Sequence, residues 1–400
     1  MVFQTRSRVQ SFTTQTRTEP RFVADPDPQV DTLIERDLAR ALETVLAEYG
    51  QAALHGIYLV GGFARGEGCV LVRDGEIHLI SDYDLVIITK EPTRDRNARS
   101  LRERLESILC APFVEVWLMD AEHLRSRPPM IAFYEMRSAY RTLWGDPEGL
   151  RSALPDIDPA AIPLHDGSRT LANRFASLLW AYLQACDPTR PSDAERAQRN
   201  YQAVKTILAL GDAFLLASRR YHYSLEERTR RIAELPVGTI DEKIMQEYRS
   251  TAATKLRPGS GDSLLNGWDV RDRWEWLTDI CTRNYELYER LRLPTGSFSW
   301  NDYASAVGSA PFGRPAWWKA LVKGCLVFGP PRSIRALRAC GIPPERRSQA
   351  IAPLLLRSYR DAAARRPLAE LLGLSRPADG MDWWLAAVRR YVKIWQRHFG

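Results

Sequence analysis

Five acidic and glycine positions in the first third of the chain carry the chemical signal. Leu59–Val60–Gly61–Gly62–Phe63–Ala64–Arg65 reads as a buried strand that turns sharply at two glycines. Ser81–Asp82–Tyr83–Asp84–Leu85–Val86 reads as a second strand. Residues two apart on a strand project to one face, so Asp82 and Asp84 point together while Tyr83 and Leu85 point away. Adjacent carboxylates repel and raise each other's pKa, a conflict that a divalent cation resolves. Hard oxygen ligands in this number suit Mg²⁺ or Mn²⁺ that keeps water and phosphate oxygens in its remaining positions. A strand running into Gly61–Gly62 aims free backbone N–H groups above the turn, and the missing Cβ atoms let a phosphate approach. A phosphate cradle beside a carboxylate pair suits phosphoryl or nucleotidyl transfer.

A third carboxylate, Glu115, sits between Val114 and Val116 in another apolar run. There it is costly unless paired, with a metal or with an arginine. Asp120, in Asp120–Ala121–Glu122–His123, reads instead as a helix N-cap. Arg65 could contact a phosphate or pair with Glu67. Ser81 could donate to a phosphate or end the strand. Lys205 lies in a largely apolar helix, in a chain with only seven lysines among 56 basic residues. It reads either as a triphosphate contact or as a lysine snorkelling at the surface.

The Gly-Gly turn, the Asp-x-Asp strand and the later carboxylate resemble the polymerase-β-like nucleotidyltransferase superfamily over roughly residues 50–145. The resemblance implies two metal ions held by Asp82, Asp84 and Glu115. It implies a nucleoside triphosphate (ATP first) as donor, with Gly61, Gly62, Arg65, Ser81 and Lys205 on the nucleotide side. Glu115 would assist deprotonation of an acceptor hydroxyl. The implied acceptor is a small molecule, a protein side chain or an RNA end. The rival is a non-catalytic protein of the same fold, antitoxin-like, that binds a partner. Nineteen residues, 63–81, separate the glycines from Asp82. That exceeds the family's usual spacing, and a hairpin around Asp74–Gly75 accounts for the excess.

The elements that must position these residues follow from periodicity. The expected fold is α+β: a small mixed sheet flanked by helices over 29–150, then a mostly helical domain over 151–400, divisible near 295–310. Residues 1–28 show no sustained period and read as a flexible arm. Leu33, Leu38, Leu42, Val45 and Leu46 mark an amphipathic helix over 29–49. A Pro- and Asp-rich linker over 154–168 precedes helices expected at 169–186, 196–219, 225–234, 238–254, 268–292, 315–328, 331–340, 345–359 and 380–397.

Charge follows the same division. Residues 1–150 carry 18 basic and 23 acidic side chains, and residues 151–400 carry 38 and 26. A basic helical half faces a polyanion, RNA included, or reflects generic arginine usage. Six singly scattered cysteines, no signal-peptide core and no long apolar run predict a reduced cytoplasmic chain with no membrane partner. No HxxxH, HExxH or GxxxxGK[ST] pattern occurs, so those zinc and P-loop chemistries are excluded.

Overall fold

The computed structural model describes residues 22–398 apart from 93–94, 188, 190, 237–239, 259–267, 294–297, 301–302, 304–316, 330–341 and 375–379. The architecture is α+β, with a small mixed sheet and a helical C-terminal part.

Helix α1 (Pro28–Tyr49) begins where Asp27 accepts from the Gln29 and Val30 amides, with Pro28 at the first helical position. Its buried stripe is Val30, Ile34, Leu38, Ala41 and Val45; Leu33, Leu42 and Leu46 pack at its flank. Four strands form one sheet: β1 (Leu54–Val60), β4 (Tyr83–Thr89), β5 (Val114–Asp120) and β6 (Arg141–Gly145). Their order is β5-β4-β1-β6, and only the β4–β5 pair is parallel. Helix α3 (Asp95–Ile108) makes the crossover that a parallel pair requires. The short helix α2 (Gly61–Ala64) follows β1.

The expected hairpin is present as β2 (Val70–Arg73) and β3 (Glu76–Leu79), joined through Asp74 and Gly75, both at positive φ. Its base is closed. The Ile80 and Ser81 amides donate to the Cys69 carbonyl, and the Cys69 amide donates to Ser81 Oγ. The extra residues therefore leave and rejoin the sheet at one place.

The sheet is buried on both faces, which is why β1 and β4 read as near-continuous apolar runs. Leu54, Ile57, Leu59, Tyr83, Leu85 and Ile87 pack against α1 and α3. Tyr58, Val60, Val86, Ile88 and Met119 join the core of the helical part. One core thus runs across residue 150.

Short helices α4 (Ala121–Arg125), α5 (Ile131–Ser138) and α6 (Gly149–Ala153) lead out of the sheet region. Asp120 is the N-cap of α4, accepting from the His123 amide. The helices of the helical part begin with α7 (Leu164–Ala185), α8 (Asp193–Ala217), α9 (Leu225–Ile232), α10 (Glu242–Leu256) and α11 (Trp274–Arg292). Then come α12 (Trp317–Phe328), α13 (Pro344–Ser358), α14 (Arg365–Leu372) and α15 (Met381–His398). Helix α8 opens on a capping box formed by Ser192 and Glu195.

Three expectations need correction. The arm is not loose to residue 28: Phe22 and Val23 are buried, the Gly68 amide donates to the Phe22 carbonyl, and Arg141 lies over the Phe22 ring. Residues 1–21 lie outside the described residues. Helix α7 starts inside the expected linker, because buried Asp166 in its first turn accepts from the Ile131 amide and pairs with Arg169. Helix α14 was not expected; its Pro367 sits in the first turn, where no intrahelical N–H is lost. The helix expected at 331–340, and most of the division near 295–310, lie outside the described residues. Among the described residues no helix is long and apolar enough to cross a membrane, and five cysteines are free thiols.

Candidate functional site

Strand register gathers the acidic residues. Val60 pairs with Asp84, and Asp84 pairs in turn with Glu115 on the parallel neighbour. In-register neighbours share a face. Asp84 and Glu115 therefore stand side by side on the face that meets the helical part, and Asp82 lies two residues before Asp84. The opposite face fixes this alternation. Tyr83 is fully buried beneath it, its ring 5.1 Å from that of Phe63, and its hydroxyl donates to Asp37 of α1. Asp37 also accepts from the Cys110 amide at 2.8 Å. A one-residue slip would bury both aspartates in the α1–α3 core, which this anchor opposes.

The electrostatics are those of crowded acids. Burial first, then Asp82 and Glu115, pushes the Asp84 carboxyl up to about 7, against the pull of Lys205 and Arg65. Burial also raises Glu115; Arg102 opposes it, and Asp82 and Glu106 add to it. Asp82 has a cationic partner: Lys205 of α8 donates to its Oδ2 at 2.6 Å, with Nζ 4.9 Å from the Tyr201 ring centroid. Lys205 thus sits against the acids and does not snorkel outward. Among the described residues no group of three histidine, cysteine or carboxylate side chains is disposed to hold a metal ion. Asp82 and Glu115 nonetheless both act on Asp84, and Lys205 lies against Asp82. The Asp82–Asp84 pair fits a divalent cation: after burial, the Asp82 charge is the main influence raising the Asp84 carboxyl.

The glycine turn adjoins the acids. Gly61 has φ +72°, and a Cβ there would collide with the Asp84 carboxylate, so the fold itself requires glycine. Gly62 differs: a Cβ there would meet nothing nearer than the Glu67 carbonyl at 3.5 Å. Both are partly open to solvent.

Two expected ligands have other partners. Ser81 is buried, accepting from the Cys69 amide and meeting the Tyr201 hydroxyl at 2.9 Å, so its oxygen clamps the hairpin base to α8. Arg65 bonds Glu67 at 2.9 Å and Glu135 of α5 at 3.3 Å, which makes it a structural ion. Burial pushes Glu67 up, but Arg65, then Lys255 and Arg228, hold it below the usual carboxylate range. Glu67 also accepts from the Leu225 amide, and Glu135 from the Tyr221 hydroxyl. Arg228 of α9 pairs with Asp212 of α8, which accepts from Tyr248 as well.

Lys255 of α10 completes the surroundings. Burial, then Arg65, Arg228 and Lys205, pull its ammonium down to about 8 despite Glu67. Sequence reasoning passed over it, as it did Asp37, Tyr201, Glu135 and Arg228. The rarity of lysine was the one available signal for Lys255; the others lie in ordinary helical patterns far from the glycine turn. Compared with known proteins, the chain matches no family model, and no curated protein is significantly similar to it.

Proposed function

We propose that this protein is a metal-dependent nucleotidyltransferase that moves a nucleoside monophosphate from an NTP, ATP first, to an acceptor hydroxyl with release of pyrophosphate. The observation that carries the reading is the row Val60–Asp84–Glu115, which sets two carboxylates on one face beside Gly61 and Gly62, with Asp82 two residues before Asp84. Gly62 adds to it: the protein's own packing has no need of glycine there, whereas a phosphate approaching the backbone from outside would.

Asp82 and Asp84 would hold Mg²⁺ or Mn²⁺. Bound there, the ion would supply charge neutralisation for the triphosphate and relief of the repulsion between the two acids. Lys205 is released from Asp82 toward the phosphates, and Lys255, on the same side as Lys205 and Arg65, adds a second positive charge. Glu115, kept more basic than usual by burial, takes the hydroxyl proton. The acceptor oxygen forms a bond to the α-phosphorus while the bond from that phosphorus to the bridging oxygen breaks, and pyrophosphate leaves.

The test is mass spectrometry of products, with pyrophosphate detection, after incubating the protein with each NTP, Mg²⁺ and a panel of acceptors. Turnover is expected, and the Asp82→Asn plus Asp84→Asn variant is expected to lose it while remaining folded. Undiminished turnover in that variant would falsify the assignment. Thermal stabilisation by NTP and Mg²⁺ together, with no pyrophosphate released from any acceptor, would mark a nucleotide-binding protein instead.

A further inference from the structure

The edge of the sheet beside Glu115 is rimmed by arginines that bond no carboxylate among the described residues. β5 lies two strands from β1 and the glycine turn, roughly 10 Å away at ordinary strand spacing. Three helices meet on that side. The Arg99 guanidinium of α3 donates to the Arg397 carbonyl of α15 at 3.0 Å, and Trp395 of α15 donates to Asn173 of α7 at 2.9 Å. These segments carry Arg99, Arg102, Arg174 and Arg397. Arg102 has its guanidinium 5.5 Å from the Phe113 ring centroid, two residues before Glu115, and Arg174 acts on Tyr201 beside Ser81. None of the four bonds a carboxylate among the described residues. Glu106, one turn along α3 from Arg102, accepts from the Val114 amide instead.

Elsewhere in the molecule, several arginines withdrawn from solvent are matched. Arg65, Arg199, Arg228 and Arg292 each reach a carboxylate. A guanidinium cut off from part of its water and given no counter-ion is unfavourable. Among the described residues Arg174 is half-buried and bonds no carboxylate, and Arg102, also half-buried, faces only Glu115, with which it forms no direct ion pair. Their fork-shaped donor sets match phosphate oxygens in pairs.

We propose that the acceptor is a phosphate-bearing hydroxyl compound, and that the α3–α7–α15 arginine rim binds its phosphate while its hydroxyl faces Glu115. This rests on the nucleotidyltransferase reading. The bond changes are those given above: the acceptor oxygen joins the α-phosphorus, pyrophosphate departs with the bonding pair, and the hydroxyl proton passes to Glu115. A cationic acceptor such as an aminoglycoside is disfavoured at such a rim.

The test has a binding arm and a transfer arm, both on the full chain. Calorimetry without nucleotide compares ribose 5-phosphate, a ten-nucleotide oligoribonucleotide, ribose and kanamycin. Binding of the first or second, but not the last two, is expected; which of the two binds separates a small phosphorylated sugar from an RNA end. Arg102→Gln with Arg174→Gln should weaken that binding at least tenfold, and Arg102→Lys should keep part of it. A thermal melt verifies that each variant is folded. Kanamycin binding more tightly than either phosphate-bearing ligand, or unchanged affinity in the folded double variant, overturns the proposal. In the transfer arm, ATP labelled at the α-phosphate should label the bound acceptor. Transfer confined to neutral or cationic acceptors overturns the acceptor class and leaves the enzymatic reading standing. Phosphate-dependent binding with no transfer from any NTP removes the acceptor role together with that reading.

Discussion

Two charged regions lie side by side in this molecule and are built on opposite principles. Behind the glycine turn, Arg65, Glu67, Glu135, Arg228 and Asp212 form a closed set in which each ion meets an opposite charge, and the Tyr221 and Tyr248 hydroxyls take further acceptor oxygens. In front of it, Asp82, Asp84 and Glu115 crowd together against one bonded cation, Lys205. Lys255 and the arginine rim are left with donors to spare. The first region has its charges matched, although the buried Nε of Arg228 has no hydrogen-bond partner among the described residues. The second is unfinished, and an added ligand changes its energy. The contrast separates the sequence's charged candidates: Arg65 is bonded into the scaffold, whereas Lys205 lies against the acids that the proposed function uses.

The contrast can be broken most forcefully in the closed set. Arg228→Ala strands Asp212 and weakens the hold on Glu135, and loss of one member of a buried ion set costs about 3–5 kcal/mol. Urea unfolding should register that loss. Lys205→Ala should change stability far less, because Lys205 and Asp82 are both partly open to solvent, yet it should weaken NTP binding more than tenfold. Equal stability losses from the two substitutions would erase the distinction drawn between the regions.

Asp84→Asn sharpens it from the other side. The folded-state pKa of Asp84, about 7, lies above the ordinary carboxylate value. Between those values the folded protein binds the proton that the unfolded chain releases. Stability contributed by the protonated form is therefore present at low pH and is lost as pH rises to about 7. The neutral amide avoids this, so the variant should melt higher than the parent at pH 8 without Mg²⁺, by an amount that shrinks toward pH 4. A melting difference independent of pH would show that Asp84 is not strained by its charge.

The glycines give the smallest effects and the cleanest pair. Gly61→Ala combines a positive φ with a collision against Asp84, and such backbone strain costs about 1–3 kcal/mol. Gly62→Ala should leave the melting temperature within a degree or two and lower NTP affinity. A Gly62→Ala protein with unchanged NTP affinity would remove the backbone from the proposed phosphate contacts.

Much of the sheet was legible before any coordinates. Tyr83 and Leu85 alternate with Asp84 and Val86, and the Asp74–Gly75 pair announces its hairpin, because side-chain period and positive-φ turns are local properties. The long helices followed from spacing, with ends displaced by caps such as Asp241 and the Ser192–Glu195 box. The role of Ser81 was not legible. Its hydroxyl had two plausible uses, and only the approach of Tyr201, 120 residues on, selects one. Arg65 was undecided for a similar reason, since Glu135 reaches it from another element.

By itself, then, the sequence determined which residues share a strand face and where the chain must turn, since neighbours along the backbone fix both. Whether Glu115 stands beside Asp84, whether Lys205 reaches Asp82, and which arginines find an acid were decided by strand register and by the docking of α7–α10 on the sheet. Those are contacts between groups far apart in the chain, and a charge acquires its chemical role from the charges packed around it.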